Sequence, residues 1–182
     1  MEDDEAFGAL SARLDPAMAI VTTMAGGERA GCLIGFHAQC SIDPVRYVVW
    51  LSKANHTHRI AMRASAFAVH FLDRDQRSLA ELFGTTSGDD LDKFEHCGWD
   101  LVPPGVPVLR DCPNRIIGQR SAMLDEGGDH VCLVLGSIRA ETLEPFTPMR
   151  LADVADLDPG HGAEDRPDPP TERAGRAAEE TR

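Results

Sequence analysis

Three places in this sequence combine residue types that binding or electron-transfer chemistry uses. The first is Gly31-Cys32-Leu33-Ile34-Gly35-Phe36-His37-Ala38-Gln39-Cys40-Ser41-Ile42-Asp43-Pro44, which reads as a strand that becomes a loop and restarts as a strand at Arg46. A break in a sheet leaves amide N–H groups that can receive a carbonyl, a ring nitrogen or a phosphate, and Gly35 removes a side chain that would bar close approach. Composition leaves this open against an ordinary glycine-containing β-bulge. The candidate contacts are Ile34, Gly35, Phe36, Gln39 and Cys40. The second is Leu51-Ser52-Lys53-Ala54-Asn55-His56-Thr57-His58-Arg59, which sets Ser52, Lys53, Asn55, His56 and Thr57 at an expected helix start. Hydroxyls, amides and the helix dipole there favour a phosphate, and an ordinary capping segment is the alternative. The third is Asp129-His130. It is either a positioned imidazole or simply the first residues after a hairpin turn. His37, His56 and His58 invite a zinc reading, but such sites bring three or four ligands of suitable geometry, so no metal is expected. No nucleophile elbow accompanies Asp129-His130, which gives hydrolase chemistry no support.

The elements that must position these residues read as short strands separated by turn residues, the pattern of a barrel rather than of a doubly wound sheet. Strands are expected over 17–24 and 28–34 about a Gly26-Gly27 turn, and over 46–51, 66–72, 114–124 and 130–143. Phe67, Val69 and Phe71 alternate with Ala66, Ala68, His70 and Leu72, so both faces of that strand are mostly apolar and it should be buried. The last two strands are joined through Asp125-Glu126-Gly127-Gly128. Helical pattern is sparse: a short helix over 57–64 capped by Asn55 or Thr57, and another over 75–84 with Leu79, Leu82 and Phe83 on one face and Gly84 as its terminator. The fold class expected from pattern alone is all-β, a β-barrel with a few short helices.

The chain has 182 residues, enough for one domain with a real core. That domain is expected over 7–150, followed by a disordered acidic C-terminal tail over 151–182 that runs through Pro159-Gly160-His161-Gly162 and Pro167-Asp168-Pro169-Pro170, with docking of the short run Leu151 to Leu157 on the domain left open. Thirty acidic residues against 18 basic ones give a net charge of −12, which repels nucleic acid and anionic membrane surfaces alike. No apolar stretch approaches the roughly 18 residues of a membrane span. The acidic start, Met1-Glu2-Asp3-Asp4-Glu5, lacks the character of an export signal, so a cytoplasmic protein is expected. Five scattered cysteines with no Cys-x-x-Cys pair argue against a disulfide framework.

The order of motifs resembles the flavin reductase-like family. It runs Gly-x-x-x-x-Phe-x-x-x-Cys-Ser-Ile-Asp-Pro from Gly31, an apolar strand, Ser-Lys-x-Asn-x-Thr from Ser52, then 65–72 with Gln76 and Leu79-Ala80-Glu81-Leu82-Phe83. Asp92-Lys93-Phe94, Gly98-Trp99, Gly105-Val106-Pro107-Val108-Leu109 and Gly128-Asp129-His130 continue the likeness. The resemblance implies an FMN-binding split barrel, a homodimer that holds FMN or FAD and reduces it with NADH or NADPH, with an oxygenase as a partner for the reduced flavin. By the same resemblance, the segment 34–40 lies along the flavin ring and ribityl chain, 52–57 lies on the phosphate side, and His130 orients the nicotinamide without acid–base work. Leu33, Ile34 and Gly35 stand where members carry Thr, a small residue and Ser. Those missing hydroxyls motivate an alternative: a protein that binds a flavin-type cofactor without NAD(P)H:flavin reductase activity.

Overall fold

Alternation along β1 (Ala19–Ala25) decides how the sheet curls: Ala19 and Val21 belong to one buried cluster and Ile20 to another. The computed structural model describes residues 2–142 and 145–160. After α1 (Glu2–Leu14), β1 forms a hairpin with β2 (Glu28–Ile34), then come β3 (His37–Ile42), β4 (Val45–Ser52), α2 (His56–Ala61), β5 (Ala66–Phe71) and α3 (Arg77–Thr85). A 3-10 turn (Lys93–Glu95), β6 (Trp99–Val102), β7 (Val106–Leu109), β8 (Arg115–Leu124), β9 (His130–Glu141) and a second 3-10 turn (Leu151–Val154) complete the order.

Seven strands pair antiparallel in the order β2-β1-β5-β8-β9-β4-β3, and β6 pairs with β7 separately. β2 and β4 stand far apart in that order, yet Cys32 and Ile34 share one core cluster with Val49 and Leu51, together with Phe67, Leu133 and Leu135. Only a sheet rolled on itself brings those side chains together, so the architecture is a split β-barrel. Two bulges help it bend. Residues 137 and 138 of β9 oppose a single residue of β8, with Ser137 at φ 52°, and a second register shift falls between Arg120 and Ala122. At this bend a Cβ on Gly118 would stand 2.8 Å from Ile138 Cδ1, 3.1 Å from Leu135 Cβ and 3.2 Å from Gly136 O, so a side chain there must push its neighbours aside.

Outside the barrel, Leu79, Ala80 and Phe83 of α3 cluster with Ile20 and Leu72, while Val106 and Val108 of β7 cover Ala66, Ala68 and Ile117. Two buried hydroxyls fix these strands: Thr22 donates to Pro107 O of the covering pair at 2.5 Å, and Thr23 donates to Ala66 O of the neighbouring β5 at 2.7 Å.

Most expected strands lie within a residue or two of the observed ones, and Gly26 and Gly27 supply positive φ (61° and 84°) at the first hairpin. Four expectations need correction. The loop expected across 35–45 is only Gly35-Phe36, because His37–Ile42 pairs with β4 as an edge strand whose exposed residues gave no apolar alternation. Gly84 does not end its helix, which runs to Thr85. Its Cβ would lie 2.9 Å from Leu33 Cδ2, so the glycine serves close packing of α3 on β2. The 13-residue α1 and the proline-flanked β6–β7 pair had no expected counterpart, and α1 begins before the boundary expected at Phe7. Finally, residues 151–160 of the expected tail are docked, with Val154 5% exposed. Asp153 accepts from the Arg150 backbone N–H, and Arg77 holds the Asp153 carbonyl at 2.6 Å. The remainder of that tail, and Leu143 at the expected end of the last strand, lie outside the described residues.

His70 ties three elements. It is fully buried on β5, its Nδ1 lies 3.2 Å from Ile20 O of β1, and its Nε2 accepts the Leu109 N–H of β7 at 3.0 Å. That arrangement requires neutral imidazole protonated on Nδ1, and burial pushes its pKa down to about 3. The unfolded chain takes up this proton near pH 6.5 while the native state refuses it to about pH 3, so the stabilisation is present above 6.5 and lost as pH falls through that window. The urea midpoint is expected to drop between pH 7 and pH 4. In His70→Leu the unfolding free energy at pH 7 should be lower by about 1–3 kcal/mol for the unpartnered Leu109 amide, and the midpoint should fall less steeply with pH.

Candidate functional site

β2 leaves its ladder at Ile34, and the chain crosses Gly35 and Phe36 before β3 begins with His37 opposite Val49. The crossing is held from both sides. The Trp50 N–H donates to Phe36 O at 3.0 Å, and His37 places Nε2 2.8 Å from Ala17 O and Nδ1 2.7 Å from the Tyr47 hydroxyl. With Nε2–H donating to the carbonyl, Nδ1 accepts from Tyr47. Burial lowers the His37 pKa and raises that of Tyr47 to about 12, so both stay neutral.

Beside this crossing lies a cavity of about 250 Å³. Its lining falls into an apolar group, Met18, Leu33, Phe83, Leu151, Val154 and Leu157, which share one hydrophobic cluster, and a polar group, Ser52, Asn55 and His130. An open groove of about 480 Å³, lined also by His37 and Asp129, shares Gly35, Phe36, Trp50 and His130 with the cavity, so the two adjoin across these residues and are treated together as one cleft. Strand register brings these residues together: Ser52 pairs with His130 and Trp50 with Cys132 across β4 and β9. The His130 ring stands edge-on to Phe36 at 5.2 Å, and its Nδ1 lies 3.0 Å from Asp129 Oδ1.

Of the residues singled out in the sequence, Ile34, Gly35, Phe36, Ser52, Asn55 and His130 line this cleft. Gln39 and Cys40 stand exposed on β3, with Gln39 donating to Ser41 O at 3.1 Å. The expected phosphate cradle is largely engaged within the protein. Lys53 pairs with Asp125 at 2.7 Å, Asn55 Oδ1 accepts the Thr57 N–H at 2.9 Å, and His56 Nδ1 meets Asp89 at 2.9 Å. Thr57 is buried and hydrogen-bonded to the Cys32 thiol, whose pKa burial raises. The three histidines that suggested zinc lie on separate contacts, and no group of three or more potential ligands occurs among the described residues.

Two residues escaped the sequence reading. Trp50 sits within an apolar run, and nothing local marks it as facing the cleft; only the register with β9 does. Lys93 is 4% exposed, donates to Gly31 O at 3.1 Å and Phe83 O at 3.2 Å, and lies 5.5 Å from the Phe83 ring centre. Burial lowers its pKa, and it lines a second cavity of about 230 Å³ with Arg29 and His56. Its signal was the Asp92-Lys93-Phe94 triplet, read only as part of a motif order.

Comparison with known proteins places this chain in a family context. The family model described as "Flavin reductase like domain" matches residues 12–149. The chain is similar to a ferric-chelate reductase (NAD(P)H) of Archaeoglobus fulgidus, 26% identical over 135 residues that cover 74% of this chain and 80% of that one. It is also similar to FMN reductase (NADH) SmoA of Agrobacterium fabrum, 30% identical over 143 residues, 76% and 77% of the two chains. The crystal structure of a flavin reductase domain protein from Arthrobacter sp. FB24 superposes with a TM-score of 0.71 at 24% identity, covering 80% of this chain and 88% of that one.

Gly31 within β2 and Gly35 in the crossing differ in what the fold asks of them. A Cβ on Gly31 would lie 2.8 Å from Phe83 Cε1 and 3.0 Å from the Val21 carbonyl, whereas on Gly35 it would meet only Met18 Sδ at 3.4 Å. Thermal unfolding should show Gly31→Ala melting several degrees low, as about 1–3 kcal/mol of overpacking implies, and Gly35→Ala within about a degree or two of wild type.

Proposed function

The chain belongs to the flavin reductase-like domain family, and from that membership we propose that it uses NADH or NADPH to reduce FMN or FAD bound in the cleft beside Gly35 and Phe36. One observation carries the reading: the cavity lining divides into an apolar cluster around Met18, Leu33 and Phe83 and a polar group of Ser52, Asn55 and His130, and a second groove adjoins it across Phe36 and Trp50. An isoalloxazine ring has the same division, with a dimethylbenzene edge and a hydrogen-bonding pyrimidine edge, so the residues present fit the group. When bound, flavin and nicotinamide contain the reactive atoms of a hydride transfer, and the protein aligns them.

The work of this chain's residues follows from their placement. The break in the ladder at Gly35 and Phe36 offers backbone groups where Leu33, Ile34 and Gly35 offer no hydroxyl. Ser52 and Asn55 supply polar atoms to the cavity, and Trp50 lines both cavity and groove. Asp129 engages His130 Nδ1, which leaves Nε2 as the ring nitrogen for a ligand in the groove. Lys93 keeps Gly31 and Phe83 in register behind the cavity.

The proposal extends to the chain's surroundings. Phe36, Ile42 and Val45 expose apolar surface at or beside β3, which stands at the edge of the sheet, and this supports a homodimer; sedimentation equilibrium should then give twice the chain mass. Five free cysteines suit the reducing cytoplasm, where NADH and NADPH are held, and an oxygenase is the partner that would consume the reduced flavin. No described helix is long and apolar enough to cross a membrane.

Anaerobic addition of NADH, then NADPH, to FMN-loaded protein is expected to bleach the flavin absorbance with at least one donor. A chain that holds FMN and bleaches with neither is a flavin-type carrier, and the reductase assignment then fails. His130→Ala should raise the KM for the nicotinamide roughly three- to tenfold, the value of one lost hydrogen bond, with FMN affinity nearly unchanged. Equal losses in both would remove His130 from the nicotinamide side.

A further inference from the structure

We propose that residues 151–160 are a retaining wall of the flavin cavity, an inference that rests on the flavin reading above. The family match ends at residue 149, so the wall lies outside the matched region. Leu151, Val154, Leu157 and Pro159 nonetheless line the cavity, the first three in the same apolar cluster as Met18, Leu33 and Phe83. The segment is anchored along its length. Ala152 N–H donates to Asp15 Oδ1 at 2.8 Å, Arg74 pairs with Asp153 at 2.7 Å, and Arg77 pairs with Asp156 at 2.7 Å. At its far end the Gly160 N–H donates to Gly84 O at 3.2 Å.

Gly160 shows how closely the wall is seated. A Cβ there would stand 2.8 Å from Thr85 O and 3.1 Å from Ser87 N, both backbone atoms at the end of α3. Any side chain at 160 must therefore lift the segment, while every cavity-lining side chain is kept. The chemistry the wall recognises is the apolar dimethylbenzene edge of the flavin, which it shields from water. The polar edge is left to the Ser52–Asn55–His130 group. Because the segment supplies four apolar side chains to a small cavity, it governs how tightly flavin is retained.

The test uses the full chain with FMN as the probe, comparing wild type, Leu157→Ser and Gly160→Val. Fluorescence-quenching titration gives the FMN Kd, iodide quenching reports access to the bound flavin, and circular dichroism checks that each variant is folded. Leu157→Ser removes a lining group and Gly160→Val displaces the wall, so either folded variant should bind FMN about tenfold more weakly and admit more iodide. Wild-type Kd and iodide access in folded Leu157→Ser would overturn the wall while leaving the reductase reading intact. Failure of wild type to bind FMN would overturn the reductase reading, and the wall with it.

Discussion

The constraint on which this structure depends is the two-residue gap between β2 and β3. A strand can change partners only by abandoning its ladder, and every amide freed in doing so needs another acceptor or a ligand. Here Phe36 O accepts from Trp50, and His37 closes the gap from beneath through Ala17 and Tyr47. Both His37 contacts require neutral imidazole, and burial keeps it neutral. The cleft exists because the gap is held open at Gly35 and Phe36 while the barrel core continues uninterrupted on either side through Ile34 and Val49.

The buried polar groups follow the same logic of complete pairing. His70 joins β1, β5 and β7 through its two ring nitrogens, and Thr22 and Thr23 reach the covering hairpin and β5. Among the described residues no carboxylate is bonded to Lys93, which spends its ammonium on two backbone carbonyls and an aromatic face. Such an arrangement tolerates a buried cation because each contact replaces part of its hydration. These side chains give the barrel fixed walls, and fixed walls are what an aligning enzyme needs, since its contribution lies in geometry rather than in proton transfer.

Overall charge proves a poor guide to the local field. The chain is strongly acidic, yet the positions that matter are set by single pairs: Lys53 with Asp125, His56 with Asp89, and Asp129 with His130. The stretch 52–57 illustrates the difference between composition and placement. Its residue types suit a phosphate, but the α2 cap, the Asp125 loop and the 86–92 loop have already engaged most of them, so the cleft receives Ser52 and Asn55 alone from this stretch.

Period-two alternation, the Gly26-Gly27 turn and the long strands that close the barrel were legible in the sequence because each is a local property: a side chain's face follows from its place in a strand, and a positive φ follows from glycine. The motif order was enough to identify the family. Edge strand β3 was less legible, because an edge lies half in water and carries no apolar alternation. Gly84 was misread because a helix terminator and a packing glycine look alike until Leu33 is seen against it. Only the tertiary structure brought Trp50 and His130 to one cleft from 80 positions apart, turned Gln39 and Cys40 away from it, and laid residues 151–160 along its apolar lining. Local pattern sets which face of a strand is buried, whereas register and barrel closure are long-range choices made by the whole core at once, and those choices decide which buried faces meet.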